Sequence, residues 1–238
     1  MTVQYELIYF PTVGLAEVSK ALLTVAGANW KYTAISFEEW PAIKPTTPFG
    51  HLPILREYDP VTGEKMLEIA QSSAIETYLA TKFGLNGKNP HETALIASVC
   101  ATYNDIREHA FRHFVAPNED AKAKAFEKLK ETANNMAVAL DKFIANNPTG
   151  SGYFVGDSLT FADITAYIWS AWSQAAGGQV SVISDKTLHL KKLVEKIKKH
   201  PKLEAFFADF EQRAHAQAKA QAEKEAAEKA AKNATATN

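Results

Sequence analysis

The chain has 238 residues and only one cysteine, Cys100. A lone thiol excludes an intrachain disulfide and a multi-cysteine metal centre, and its apolar setting between Ala94 and Ala101 argues against a cysteine nucleophile. An excess of one charge is also missing. With 26 Lys and Arg against 27 Asp and Glu, the net charge of −1 offers no electrostatic footprint for nucleic acid. No apolar run approaches the ~20 residues needed to span a bilayer, so no membrane partner is expected. The N-terminal segment lacks the basic, apolar and small-residue regions of a secretory leader, which makes a soluble cytoplasmic protein the expectation. Histidines stand at 51, 91, 109, 113, 189, 200 and 215, and only His109 and His113 share an i, i+4 helical face. Without a general-base glutamate between them or a third ligand, they read as a solvated pair, and no metal is expected.

What is present is a change of pattern along the chain. Up to about residue 83, strands and helices alternate: a strand over 3–10, a helix over about 14–26 carrying Leu15, Val18, Leu22 and Val25 on one face, and a strand over 30–35. After a proline-rich stretch (Pro41, Pro45, Pro48), Leu52-Pro53-Ile54-Leu55 opens a strand. Its hairpin partner, Glu64 to Ile69, lies across the turn residues Asp59 to Gly63. A helix then runs from about Ser73 to Phe83. Ser73 and Glu76 have capping-box spacing, and Gly84 stands where a C′ glycine belongs. Residues 84–90 are rich in breakers and read as a linker.

From His91 onward only helical periodicity is left, over about 92–115, 119–146, 161–176, 187–199 and 202–215. The expected organisation is a four-stranded α/β domain over 1–83, a linker over 84–90 and an all-helical domain over 91–211. Residues 212–238 follow as an Ala/Lys/Glu-rich extension without a large apolar residue. High helix propensity there has no core to anchor it, so the extension reads as a fraying solvated helix or a loose tail with no assigned chemistry.

Five segments in register carry a family resemblance. They are Tyr9 at the end of the first strand, Trp40 to Lys44, Pro48 to Leu55, Gln71 to Leu79, and Gly156 to Asp163. Over about residues 3–210 the chain resembles the cytosolic glutathione transferases, and among them the sigma-type tyrosine enzymes. The resemblance implies a thioredoxin-like N-terminal domain, an all-α C-terminal domain, a homodimer and glutathione as co-substrate. It makes Pro53 a cis proline, an isomer adopted by only about 5–6% of X–Pro bonds, so that the Leu52 backbone can pair with a bound tripeptide. Gln71 and Ser72, at a helix start that favours anions, would hold the γ-glutamyl carboxylate. Trp40, Lys44 and His51 would cover other parts of the tripeptide, and Asp105 of the partner subunit would reach its α-amino group. A small hydrophobic electrophile would lie against Phe10, Val13, Gly14, Tyr103, Arg107, Arg112 and Trp169. Thr160 and Asp163 form a capping box that starts a buried helix rather than a ligand contact.

Tyr9 takes the catalytic role in this resemblance. Lowering a thiol pKa of about 8.5 by ~2 units takes about 2.7 kcal/mol. One hydrogen bond to a charged acceptor contributes about 1.5–3 kcal/mol, so a neutral tyrosine hydroxyl donating to the sulfur supplies most of that shift. Conjugation follows, with peroxide reduction or isomerisation as side activities. Thr12 is the alternative hydroxyl, because serine-type relatives place the activating group later in this turn. One departure stands out: Leu15 occupies a position where many tyrosine-type relatives carry an arginine that supports the catalytic tyrosine. With the charged extension, it leaves open a non-catalytic ligand-binding or protein-interaction module on the same fold.

Overall fold

The computed structural model describes residues 4–175 and 180–236. Strand β1 (Gln4–Tyr9) is buried at five of its six positions, four of them apolar or aromatic and the fifth Glu6, whose carboxylate is held by Lys31, Thr33 and Tyr58. It pairs in parallel with β2 (Asn29–Ala34) and antiparallel with β3 (Ile54–Tyr58), which pairs antiparallel with β4 (Lys65–Ala70). The order β2-β1-β3-β4 puts the tyrosine-bearing strand at the centre of a mixed sheet.

Helix α1 (Glu17–Val25) makes the crossover between the two parallel strands. It buries Val18, Ala21, Leu22 and Val25, together with the charged Glu17 and Lys20. The proline-rich stretch holds a short helix, α2 (Trp40–Ile43), and a 3-10 turn at Lys44–Thr46. Helix α3 (Ser72–Lys82) closes the N-terminal unit, and Gly84 follows it at φ +71°. The amide of Leu85 donates to the Ala80 carbonyl at 2.7 Å, a turn that an L side chain at residue 84 would strain.

The remainder is helical. Helices α4 (Pro90–Phe114) and α5 (Glu119–Ala145) pack against one another, and each starts on an asparagine cap. Asn89 accepts from the Glu92 amide at 3.0 Å and Asn118 from the Ala121 amide at 2.9 Å. Helix α6 (Phe161–Ala175) is the axis of the unit, with eleven buried residues, and packs against α1, α4, α7 (Leu188–Lys198) and α8 (Glu204–Ala236). Asp163 supplies one arm of the expected capping box, its carboxylate accepting from the Thr160 amide at 2.7 Å, while the Thr160 hydroxyl donates to the same carboxylate at 2.8 Å and the Asp163 amide donates to the Thr160 carbonyl at 3.2 Å. Ala176, the last residue expected in this helix, lies outside the described residues, as do Thr237 and Asn238 of the expected loose tail. Helix α8 runs unbroken from Glu204 to Ala236. No helix among the described residues is long and apolar enough to cross a membrane.

Candidate functional site

The site is built around the turn between β1 and α1. Tyr9, 8% exposed, ends β1, and its hydroxyl oxygen accepts a hydrogen bond from the Leu15 amide at 3.2 Å. A Cβ on Gly14 would stand 2.7 Å from that oxygen, so only glycine lets the backbone approach so closely. Burial pushes the Tyr9 hydroxyl above its ordinary pKa, more than the Leu15 amide and the Arg107 charge pull it down. The group is therefore a neutral O–H whose oxygen already accepts one bond and whose proton is free to be donated.

Two side chains of α8 hold this turn. Gln217 donates its amide Nε2 to the Val13 carbonyl at 3.2 Å and accepts from the Val13 N–H at 2.8 Å, so one side chain satisfies both backbone groups. Arg213 places Nη2 3.1 Å from Glu17 Oε2 and Nη1 3.2 Å from Oε1, while Lys20 holds the same carboxylate at 2.8 Å. Glu17 is fully buried and depends on these cations. Further along, Lys122 at the start of α5 pairs with Glu225 at 2.8 Å. Arg213, Gln217, Gln221 and Glu225 recur at every fourth position in an alanine-rich background. Arg213, Gln217 and Glu225 of that stripe bond other elements, while Gln221 bonds Glu225 one turn on, all within the extension expected to carry no chemistry.

The Leu52–Pro53 peptide bond is cis, and both residues are buried at the start of β3. His51 is exposed, with its ring Nδ1 2.6 Å from the Phe49 carbonyl. Lys44 runs alongside Gly50. Phe10 joins these segments to Tyr9: it meets the Tyr9 ring at 5.5 Å, the Trp40 indole edge-on at 5.4 Å, and stacks on Phe37 at 4.8 Å.

Gln71 precedes α3 with φ +78°, so the chain enters the helix through a left-handed residue at Gln71. The capping box expected from Ser73 and Glu76 does not form. Gln71 is the N-cap, and the Glu76 carboxylate turns inward, where it is buried 3.8 Å from Arg107 Nη1. Spacing cannot separate a cap from a buried acid; the direction of the side chain does. Arg107 Nη2 also donates to the Ser72 hydroxyl at 3.3 Å, and Asn104 donates to the Ser73 hydroxyl at 3.2 Å. Ser72 at the N-terminus of α3 is thus bonded to α4.

The remaining candidates are dispersed. Tyr103 is fully buried, and its hydroxyl has no hydrogen-bond partner. Trp169 is half-buried against Trp172 at 5.3 Å. Arg112 is exposed and pairs with Glu108 one turn back. Asp105 is exposed on α4. The His113 ring lies 5.2 Å from Phe126, with its Nδ1 3.0 Å from the Lys122 carbonyl. A cavity of about 660 Å³ opens between the turn, β2 and α8, lined by Pro11, Thr12, Val13, Trp30, Tyr32 and Arg213 among others. Val13 is the one residue of the expected acceptor pocket that lines it.

A four-stranded mixed sheet with a cis proline opposite a strand-end tyrosine, followed by a helical domain, defines the glutathione-transferase fold. Residues 104–210 match the family described as Glutathione S-transferase, C-terminal domain. The chain is 34% identical over 213 residues to Glutathione S-transferase 1 of Ascaris suum, which covers 87% of this chain and 96% of that protein. It is also 34% identical over 203 residues to hematopoietic prostaglandin D synthase of Gallus gallus, covering 85% and 94% respectively. Among solved structures, a monomeric glutathione S-transferase of the hookworm Necator americanus superposes with a TM-score of 0.72 at 31% identity, over 87% of this chain and 97% of that one. The chain belongs to the glutathione S-transferase family and is an enzyme of that family.

Proposed function

We propose that the protein is a sigma-like glutathione transferase in which the Tyr9 hydroxyl donates to the glutathione sulfur and holds it as a thiolate for attack on a small hydrophobic electrophile. The observation that carries this reading is the neutral, buried Tyr9 hydroxyl, with its oxygen taken by the Leu15 amide and its proton free. The tripeptide would run from this hydroxyl past the cis Leu52–Pro53 backbone to Ser72 and Gln71 at the start of α3. Trp40, Lys44 and His51 would cover its other end, and Asp105 of a second copy its amino group. Two observations support this path: Ser72 has a bonded hydroxyl at a helix N-terminus, and Gly14 keeps a side chain away from the Tyr9 hydroxyl. The electrophile would take the space beside Phe10, Val13 and Gly14 at the Tyr9 turn, away from the buried Tyr103 and the exposed Arg112.

The likeness to a prostaglandin D synthase supports isomerisation as a second use of the same thiolate. Homodimer formation and a cytoplasmic location complete the proposal. The exposed Asp105 supports the first, and sedimentation velocity on the purified chain tests it against the monomeric state of the hookworm relative.

The test of mechanism is thiolate absorbance of bound glutathione, titrated with pH in wild-type and Tyr9→Phe protein, alongside conjugation of a chlorodinitrobenzene. Loss of one hydrogen bond to a charged sulfur should raise the bound thiol pKa by about 1–2 units and lower kcat/KM about 10–100-fold. Equal thiolate titrations in the two proteins would remove Tyr9 from the mechanism.

A further inference from the structure

Beneath Ser72 lies a pair of charges that the proposed reaction does not use. Glu76 stands one turn after Ser72 on α3. Its side chain is only 5% exposed, and its Oε1 has no hydrogen-bond partner. Arg107, with a side chain 20% exposed, reaches across from α4 to lie 3.8 Å from that oxygen while its other terminal nitrogen donates to Ser72. One guanidinium therefore serves both the buried acid and the hydroxyl at the mouth of the helix.

The other charged groups around Glu76 are engaged elsewhere. On α1, Glu17 pairs with both Lys20 and Arg213. On β3, Glu57 is held by Lys82, and on β4, Glu68 by Arg56 and Lys65. On α6, Asp163 accepts from Thr160 and from the Phe154 amide. On α4, burial keeps the Cys100 thiol far above its ordinary pKa and hence neutral, and the Tyr103 hydroxyl is buried without a partner. Among the described residues, Arg107 is the one cation ion-paired with Glu76.

We propose that Glu76 and Arg107 form a proton-linked charge pair under the anion site, so that a carboxylate arriving at Ser72 takes over the charge of Arg107 and Glu76 takes up one proton from solvent. The inference rests on the glutathione reading, which supplies the carboxylate. Two carboxylates against one guanidinium in a largely desolvated seam cannot both stay ionised, and the more deeply buried one takes the proton. The incoming carboxylate keeps its charge because the Ser72 hydroxyl, which accepts from Arg107, still has its own proton to donate at the α3 N-terminus. Burial has already pushed Glu76 up to about 7, against the pull of Arg107, so the exchange falls near neutral pH. By linkage, an anion that raises the proton occupancy of Glu76 binds more tightly as pH falls.

The probe is S-methylglutathione, which has no thiol to ionise, titrated calorimetrically into the full-length protein near pH 7 in two buffers of different ionisation enthalpy. The expected result is a net uptake of about half a proton per site near pH 7, rising toward one near pH 8, with affinity weakening by up to about tenfold per pH unit above pH 7. Glu76→Gln should bind with no uptake and little pH dependence, and Glu76→Asp should restore both. Wild-type binding without proton uptake, or uptake that persists in Glu76→Gln, overturns the inference while leaving the glutathione site standing. Failure of wild type to bind S-methylglutathione at millimolar concentration overturns the glutathione reading and this inference together.

Discussion

The amide of Leu15 donates to the hydroxyl oxygen of Tyr9 across 3.2 Å. At residue 15, where an arginine side chain would bring a charge, this chain uses the backbone: a hydroxyl that accepts a hydrogen bond becomes a better donor through its remaining proton. Positive charge comes from elsewhere, because Arg107 on α4 pulls the Tyr9 pKa down, against the burial that raises it. The support for this tyrosine is thus divided between a turn that fixes its oxygen and a distant helix that sets its field.

Gly14→Ala tests how closely the turn must fit. The new methyl would fall 2.7 Å from the Tyr9 oxygen, against the side of a buried ring that has little room to retreat. We expect a stability loss of about 1–3 kcal/mol from overpacking and a fall in kcat/KM of about tenfold or more as the hydroxyl is displaced. Thermal melts and steady-state conjugation measure the two, and wild-type values in both would show that the turn yields freely.

The strands and helices of this fold were legible because their signals are local. Dense apolar residues marked β1, Gly84 marked the end of α3, and Thr160 with Asp163 marked the start of α6. Tyr9 and Leu52–Pro53 were legible by family likeness, with the cis bond present where it was expected. Three features were not. Glu76 has the spacing of a cap but is a buried acid, a difference set by burial alone. Arg107 belongs to a run of basic residues on α4, and only its partners, Ser72 and Glu76, separate it from the solvated Arg112. Helix α8 looked unanchored because it has no large apolar residues beyond Phe210. Its anchors are polar, and the partner of Gln217 is a backbone group 204 positions earlier in the chain.

Gln217→Ala removes both bonds to Val13 at once. Each neutral hydrogen bond contributes about 1 kcal/mol, so the variant should lose about 1–2 kcal/mol and several degrees in Tm. The more specific readout is hydrogen exchange. The Val13 amide, satisfied at 2.8 Å by Gln217, should exchange faster in the variant, with the sheet amides unchanged. Unaltered protection at Val13 would mean that α8 does not hold the turn.

The Arg213 to Glu17 contact should appear as a coupling energy. Glu17 is fully buried, and with Arg213 replaced by methionine it keeps only Lys20 as a cation partner. Breaking one arm of a buried ion pair costs more than removing both groups. A double-mutant cycle of Arg213→Met with Glu17→Gln should therefore give a favourable interaction of about 1–3 kcal/mol. Additive effects would reduce the contact to one made and broken without consequence for the fold.

Stability should fall as pH rises through neutrality, and Glu76 gives the reason. Burial raises this carboxyl in the folded chain from about 4.5 to about 7, and Asp163 in the same sense to about 6. The folded state then holds protons that the unfolded chain releases. Their stabilising contribution is complete below the ordinary carboxylate value and is lost as pH rises through about 6 for Asp163 and about 7 for Glu76. Melting temperature should therefore decline from pH 5 to pH 8 in the wild-type protein. Glu76→Gln, which cannot ionise, should keep the part of the decline below about pH 6 that belongs to Asp163 and lose the part above it. The variant should accordingly gain on the wild type with increasing pH. Parallel curves for the two proteins across pH 6 to 8 would show that Glu76 is already ionised in the fold, with Arg107 compensating its charge in full.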